Sequence, residues 1–132
     1  MIYLDTSAAA KVVLRERESL ALRGWLDGQA GPGVSSVITR IELTRAAARR
    51  GDSLVSDAEQ TLGRLALLDV SADIVERACV VGGPHLRSLD AIHLATALRL
   101  AEDLTSFVTY DRQLGRAALD AGLPVVSPGC EL

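Results

Sequence analysis

The chain opens MIYLDTSAAAKVVL, from Met1 to Leu14. A short apolar run stops at Asp5, and a segment of good helix formers follows. An apolar run without polar alternation is the pattern of a strand covered on both faces. Thr6 and Ser7 offer hydroxyls to cap a helix over Ala8 to Leu14. A strand that leads straight into a helix is the first half of an α/β unit. It leaves Asp5 just past the strand's carboxyl end.

The same alternation runs on from there. Glu18 to Leu26 reads as a short helix, Gly28 to Gly33 (GQAGPG) as a turn, and Val34 as the start of an extended piece. Ser36 opens a helix that Gly51 stops after about Arg50, with Val37, Ile41, Thr44 and Ala48 as its expected core stripe. Ser53 is expected to cap a helix carrying Leu54, Val55, Ala58, Leu62 and Leu65 on one face. Leu67 to Val70 reads as a strand. Ser71 is expected to cap a helix to about Val81, broken by Gly82-Gly83-Pro84. Ser88 is expected to cap the helix Leu89 to about Ala101. Phe107 to Thr109 and Pro124 to Val126 read as strands either side of a helix from Gln113 to Ala121. This order predicts an α/β fold of three layers, a central parallel sheet flanked by helices. Such sheets bind ligands beyond the carboxyl ends of their strands, at the switch point of strand order.

The chain has 132 residues, which suits one domain spanning 1–132. Apolar residues make up 48% and charged residues 23%, the balance of a folded globular protein. A net charge of −3 excludes a simple basic nucleic-acid binder, though not a nucleic-acid enzyme with an acidic metal site. Lys11 is the only lysine beside 13 arginines. Cys79 and Cys130 are far apart, with no CxxC or Cys/His cluster, which argues against zinc and against a disulfide framework. No signal peptide and no membrane span is legible, so a cytoplasmic protein is expected.

Four carboxylates carry the chemistry. Asp5 and Asp111 each follow a strand end, where an acid can also simply cap the next helix. Glu42 lies mid-helix in TRIELTRA, where it can pair with Arg45. Asp90 opens LDAIHLATALRLA, a helix apolar almost all round, in which a charge is costly unless compensated. Two strand-end acids and two helical acids can border one crevice. Clustered carboxylates raise one another's pKa, and a divalent cation relieves that repulsion. All-oxygen donors select Mg²⁺ or Mn²⁺ over zinc. Hard cations in such a site activate water and clamp a phosphodiester.

The ordered set MIYLDTSA, TRIELTRA, SLDAIHLATA and VTYDRQL, from Met1 to about Val126, resembles the PIN-domain nucleases, and among them the VapC-type toxins of bacterial toxin–antitoxin pairs. The resemblance implies a PIN-like sandwich with Asp5, Glu42, Asp90 and Asp111 as its acidic metal site. It also implies Thr109, with Thr6, as supporting hydroxyls. It further implies a Mg²⁺-dependent endoribonuclease that leaves 5′-phosphate and 3′-hydroxyl ends, a homodimer, and a cognate antitoxin whose tail blocks the active site. The fuller acidic set of such sites has no counterpart beside Asp111. Asp103 precedes the strand and is expected at its opposite end.

Other features admit plainer readings. His93, three residues after Asp90, can be a general acid or a ligand, but a packed histidine with a satisfied hydrogen bond is the commoner state in an apolar helix. Arg45 and Arg112 are candidate contacts to RNA phosphate. Tyr110 is a candidate to stack on one base. Val12, Val13 and Leu14 with Trp25 can form core, a dimer face or an antitoxin groove. A receiver domain needs an acidic pair after strand one and a late lysine. A haloacid-dehalogenase-type phosphatase needs Asp-x-Asp there. Asp5-Thr6-Ser7 supplies neither. The remaining alternatives are a PIN-like RNA-processing nuclease that is not a toxin, and a PIN-like module that binds RNA or protein without catalysis.

Overall fold

The computed structural model describes residues 1–132. Five strands, β1 (Ile2–Leu4), β2 (Gly33–Ser36), β3 (Leu65–Leu68), β4 (Ser106–Val108) and β5 (Val125–Val126), form one sheet in the order β3-β2-β1-β4-β5. Every pairing is parallel. The order reverses at β1, whose neighbours β2 and β4 are far apart in the chain. β1 aligns Tyr3 with Val34 on one side and with Phe107 on the other.

Burial of β1 explains its apolar sequence. Tyr3 faces a core with Phe107, Leu94, Leu114 and Ala118, while Ile2 and Leu4 face a second core with Ala8, Leu22 and Val108. Each face is covered by helices. α6 (Ser88–Arg99) and α7 (Arg112–Asp120), with α5 (Ala72–Ala78) against α6, form one outer layer. α1 (Thr6–Val13) and α2 (Ser19–Asp27) cover the other face, and α3 (Val37–Arg50) and α4 (Asp52–Gly63) pack against α1 through Ala9, Val13, Leu43, Ala47, Ala58 and Leu62. The result is a three-layer α/β sandwich.

Several local expectations shift. The buried residues of α3 are Thr39, Leu43 and Ala47, whereas Ile41 is 60% exposed. Thr39 is polar, so its face looked like the wrong one; its hydroxyl is satisfied internally by Ser35 Oγ at 2.8 Å. Leu65 belongs to β3 and not to α4, and β3 starts two residues earlier than expected because Gly63 ends the helix. Ser53 and Ser88 lie inside their helices, whose N-caps are Gly51 and Arg87. Ser71 holds the cap position of α5, but its hydroxyl bonds to Asp73. Gly51 has φ 154°, which lets α3 turn directly into α4. Val13 and Leu14 are core, and Val12 and Trp25 pack, partly buried, against the adjoining core of Ile2, Leu4 and Leu22. Both cysteines are exposed and unpaired. No helix is long and apolar enough to cross a membrane.

Candidate active site

The site forms where the strand order reverses. Asp5 leaves the end of β1, and Thr109, Tyr110 and Asp111 leave the end of β4. Asp5 is 2% exposed and is the N-cap of α1, its Oδ1 accepting from the Ala8 amide at 2.9 Å. Oδ1 also accepts from Ser7 Oγ at 2.7 Å, and Oδ2 accepts from Thr109 Oγ1 at 2.6 Å. Capping and membership of the site are therefore one role for this residue. Burial nevertheless raises the Asp5 pKa, against the lowering effect of His93, Thr109, Ser7 and the Ala8 amide.

Asp111 repeats the arrangement on α7. Its Oδ1 accepts from the Leu114 amide at 2.8 Å, and its own amide donates to Thr109 Oγ1 at 3.1 Å. Thr109, fully buried, thus joins the two strand-end acids. Ser7 closes the same corner by accepting from the Tyr110 amide at 2.9 Å.

Glu42 projects from the middle of α3. Its Oε1 accepts from Thr6 Oγ1 at 2.6 Å and lies 3.6 Å from His93 Nε2. The histidine ring first, then the threonine hydroxyl, hold the Glu42 pKa below the usual carboxylate range despite partial burial. Asp90 stands in the first turn of α6. Its pKa is raised to about 6 by burial first, then by Asp111, with Asp5 and Glu42 adding and His93 opposing. Asp90 thus shares the field of the other three acids, and His93, three residues further along α6, reaches Thr6 and Glu42.

The cluster holds more acids than basic groups. No lysine or arginine forms an ion pair with any of its members; His93 is the only basic group within 4 Å of one. Glu42 Oε2, Asp111 Oδ2 and both Asp90 oxygens accept no hydrogen bond. Hard oxygen donors carrying unneutralised charge suit a hard divalent cation. As they stand, no three acidic or histidine side chains are drawn in tightly enough to hold one. Closing around an ion would fall to the side chains with spare oxygens, Asp90 and Glu42 above all.

The remaining sequence candidates fall around this centre. Arg45 lies three residues after Glu42 on α3 and is exposed. Arg112 follows Asp111, is exposed, and lines a shallow groove of about 320 Å³ with Arg116, His85 and Gln113. Tyr110 is not a free stacking surface: its hydroxyl donates to the Pro128 carbonyl at 2.7 Å, and Lys11 sits over its ring at 4.9 Å. Asp103 lies at the opposite edge, where its carbonyl accepts from the Met1 amino group. Ser7 and Thr39 were missed as parts of the site. The run Thr6-Ser7 after Asp5 was the signal for Ser7, but it reads equally well as capping; Thr39 gave none. A groove of about 850 Å³ lies away from the acids: it runs between α1, α2 and α4, past Val12, Leu26, Leu54 and Leu65.

Known proteins resemble this chain over nearly its whole length. Residues 2–119 match the PIN domain family. Ribonuclease VapC47 of Mycobacterium tuberculosis is 41% identical over 98% of both chains, and Ribonuclease VapC46 of the same species is 42% identical over 96% of this chain and 97% of its own. Among solved structures, Mycobacterium tuberculosis VapC20, described as a Sarcin-Ricin loop cleaving toxin, superposes with a TM-score of 0.78 at 18% identity, over 97% of this chain and 100% of that one. A toxin-antitoxin complex from Klebsiella pneumoniae gives 0.74 at 24% identity over 100% of both chains. The chain belongs to the PIN-domain family, in its VapC ribonuclease branch.

Proposed function

We propose that this chain is a divalent-cation-dependent endoribonuclease and the toxin of a toxin–antitoxin pair. The observation that carries this reading is the convergence of four carboxylates that no cationic side chain neutralises. Asp5, Glu42, Asp90 and Asp111 would hold Mg²⁺, or Mn²⁺ in its place, which offsets their charge and acidifies water for attack on a phosphodiester.

The chain's own residues divide the rest of the task. Asp5 is the rigid member, fixed by Ser7, Thr109 and the Ala8 amide. Glu42 is held at one oxygen by Thr6 and leaves the other free. Asp90 has no hydrogen bond to break and is the member free to adjust. Arg45 and Arg112, exposed beside Glu42 and Asp111, would grip RNA phosphates flanking the scissile one, giving affinity without base choice. Single-stranded or loop RNA suits such a site, because its backbone can enter a narrow acidic crevice. Cleavage would leave 5′-phosphate and 3′-hydroxyl ends.

A cognate antitoxin, a homodimer and a cytoplasmic setting belong to the same reading. Support comes from the relatives named VapC and from the fold shared with a chain of the Klebsiella toxin-antitoxin complex. The 850 Å³ groove is lined by apolar side chains together with Arg15, Arg23, Arg50 and Arg64 against Asp27 and Asp57, which suits an apolar antitoxin segment carrying acidic side chains. Retention of all four acids, three of them with free oxygens, counts against a non-catalytic module. Expression of the chain alone should arrest growth of a bacterial host, and Asp90→Asn should relieve the arrest. Equal growth with both would remove the toxin reading and leave an RNA-processing nuclease.

A further inference from the structure

A chain of buried polar contacts runs from the acids to the middle of the sheet. Tyr3 is fully buried, and its hydroxyl meets His93 Nδ1 at 2.8 Å. His93 is 2% exposed, and its Nε2 lies 3.1 Å from Thr6 Oγ1. Thr6 Oγ1 lies 2.6 Å from Glu42 Oε1.

Counting protons gives each bond a direction. A carboxylate only accepts, so the single Thr6 hydroxyl proton goes to Glu42. Thr6 can then only accept from its other partners. His93 Nε2 therefore carries a proton and donates it to Thr6. In the neutral ring, the Nδ1 lone pair is then left to receive the Tyr3 hydroxyl. Thr39, 3.3 Å from Thr6, cannot replace His93. Ser35 donates to the Leu4 carbonyl at 2.5 Å, so Ser35 must accept the Thr39 proton across 2.8 Å.

We propose that His93 is a positioning residue for the nuclease site. Locked by Tyr3 as the Nε2–H form, it orients Thr6, and Thr6 holds Glu42 Oε1 so that Oε2 is the oxygen left for a cation. This rests on reading the four acids as a cation site. Histidine is used because it can accept at one end and donate at the other, bridging Tyr3 on β1 and Thr6 on α1. The ring also packs edge-on against Tyr3, with centroids 5.9 Å apart.

The test uses the full chain and three variants. ¹⁵N-histidine labelling gives only two rings to assign, His85 and His93. The expected spectrum shows His93 protonated at Nε2 and coupled through Nδ1 to Tyr3; a proton on Nδ1 alone would overturn the proposal. Mn²⁺ titration calorimetry and single-turnover RNA cleavage then compare His93→Leu, which fills space, with His93→Gln, which returns an amide N–H near Nε2. His93→Leu should lose about 10–100-fold in Mn²⁺ affinity, and His93→Gln should recover most of it. Tyr3→Phe keeps the core volume and should weaken Mn²⁺ binding by a smaller factor, because it removes the lock and leaves the donor. Equal affinity in wild type, Leu and Gln variants would overturn the proposal. Wild-type protein that neither binds Mn²⁺ nor cleaves RNA would overturn the reading of the acids beneath it.

Discussion

The Thr109 hydroxyl donates to Asp5 Oδ2 across 2.6 Å, joining residues 104 positions apart in sequence. This bond ties the ends of β1 and β4 together at the switch point. It fixes the most buried acid of the site relative to Asp111, whose amide donates to the same hydroxyl. Thr109→Val keeps the shape of the side chain and deletes the donor. A buried charge that loses a hydrogen bond costs about 1–3 kcal/mol. Urea unfolding of the metal-free protein should show that loss, and Thr109→Ser should restore most of it. Unchanged stability in Thr109→Val would mean that the bond does not hold the corner.

Asp5 and Asp90 should respond in opposite ways to removal of charge. The amide nitrogen that Asp5→Asn places at Oδ2 cannot accept the buried Thr109 hydroxyl, so this variant should lower the melting temperature as well as activity. Asp90 accepts no hydrogen bond and is repelled by its neighbours. Asp90→Asn should abolish cleavage while leaving the metal-free protein at least as stable as wild type at pH 7. Thermal unfolding of both variants without metal checks this. A marked loss of stability in Asp90→Asn would contradict the electrostatic picture.

The Asp90 pKa sets a pH window. Its value rises in the fold from 3.8 to about 6, so the folded state favours the protonated form. The stabilisation is fully present below pH 3.8 and is lost as pH rises through about 6. Wild-type stability minus that of Asp90→Asn should therefore fall between those two pH values in metal-free buffer. Cation binding needs the ionised form, so Mn²⁺ affinity should weaken as pH drops below about 6. A pH-independent difference, with pH-independent affinity, would show that Asp90 does not sense the cluster.

Arg112 and Arg45 are argued to meet phosphate and not bases. Arg112→Ala and Arg45→Ala should each weaken RNA binding to a similar degree across sequences. For single-stranded RNA, each lost phosphate contact should also lower the log–log salt slope by about 0.7. Binding to an Asp90→Asn background, measured against salt, reads this without cleavage. An altered cut-site choice with an unchanged slope would instead assign base contact.

The fold was legible because its central strand and central helix are apolar in the manner of elements buried all round. MIYL and LDAIHLATALRLA identify β1 and α6 without help from their neighbours. Element ends were less legible. Ser53, Ser88 and Leu65 were misplaced because serine favours caps only on average, and because the residues beyond Gly63 pair with β2. The α3 face was misjudged because Thr39, a polar residue, occupies the core side. The four acids were visible singly, each with an ordinary explanation. Their convergence depends on the strand order β2-β1-β4, which no local pattern in the chain reports. His93 showed the same limit. Its helix predicted a satisfied, buried ring, but the partners Tyr3 and Thr6 lie 90 and 87 residues away.

The central claim is that the four carboxylates drive RNA cleavage with a divalent cation. Its most direct measurement is cleavage of total bacterial RNA by the purified chain, in Mg²⁺ and in EDTA, with Asp90→Asn alongside and the new 5′ ends sequenced. The account predicts discrete cuts bearing 5′-phosphates that need Mg²⁺ and vanish in the variant. Cuts that persist in EDTA or in Asp90→Asn, or a folded wild-type chain that binds Mn²⁺ and RNA but cuts nothing, would contradict it.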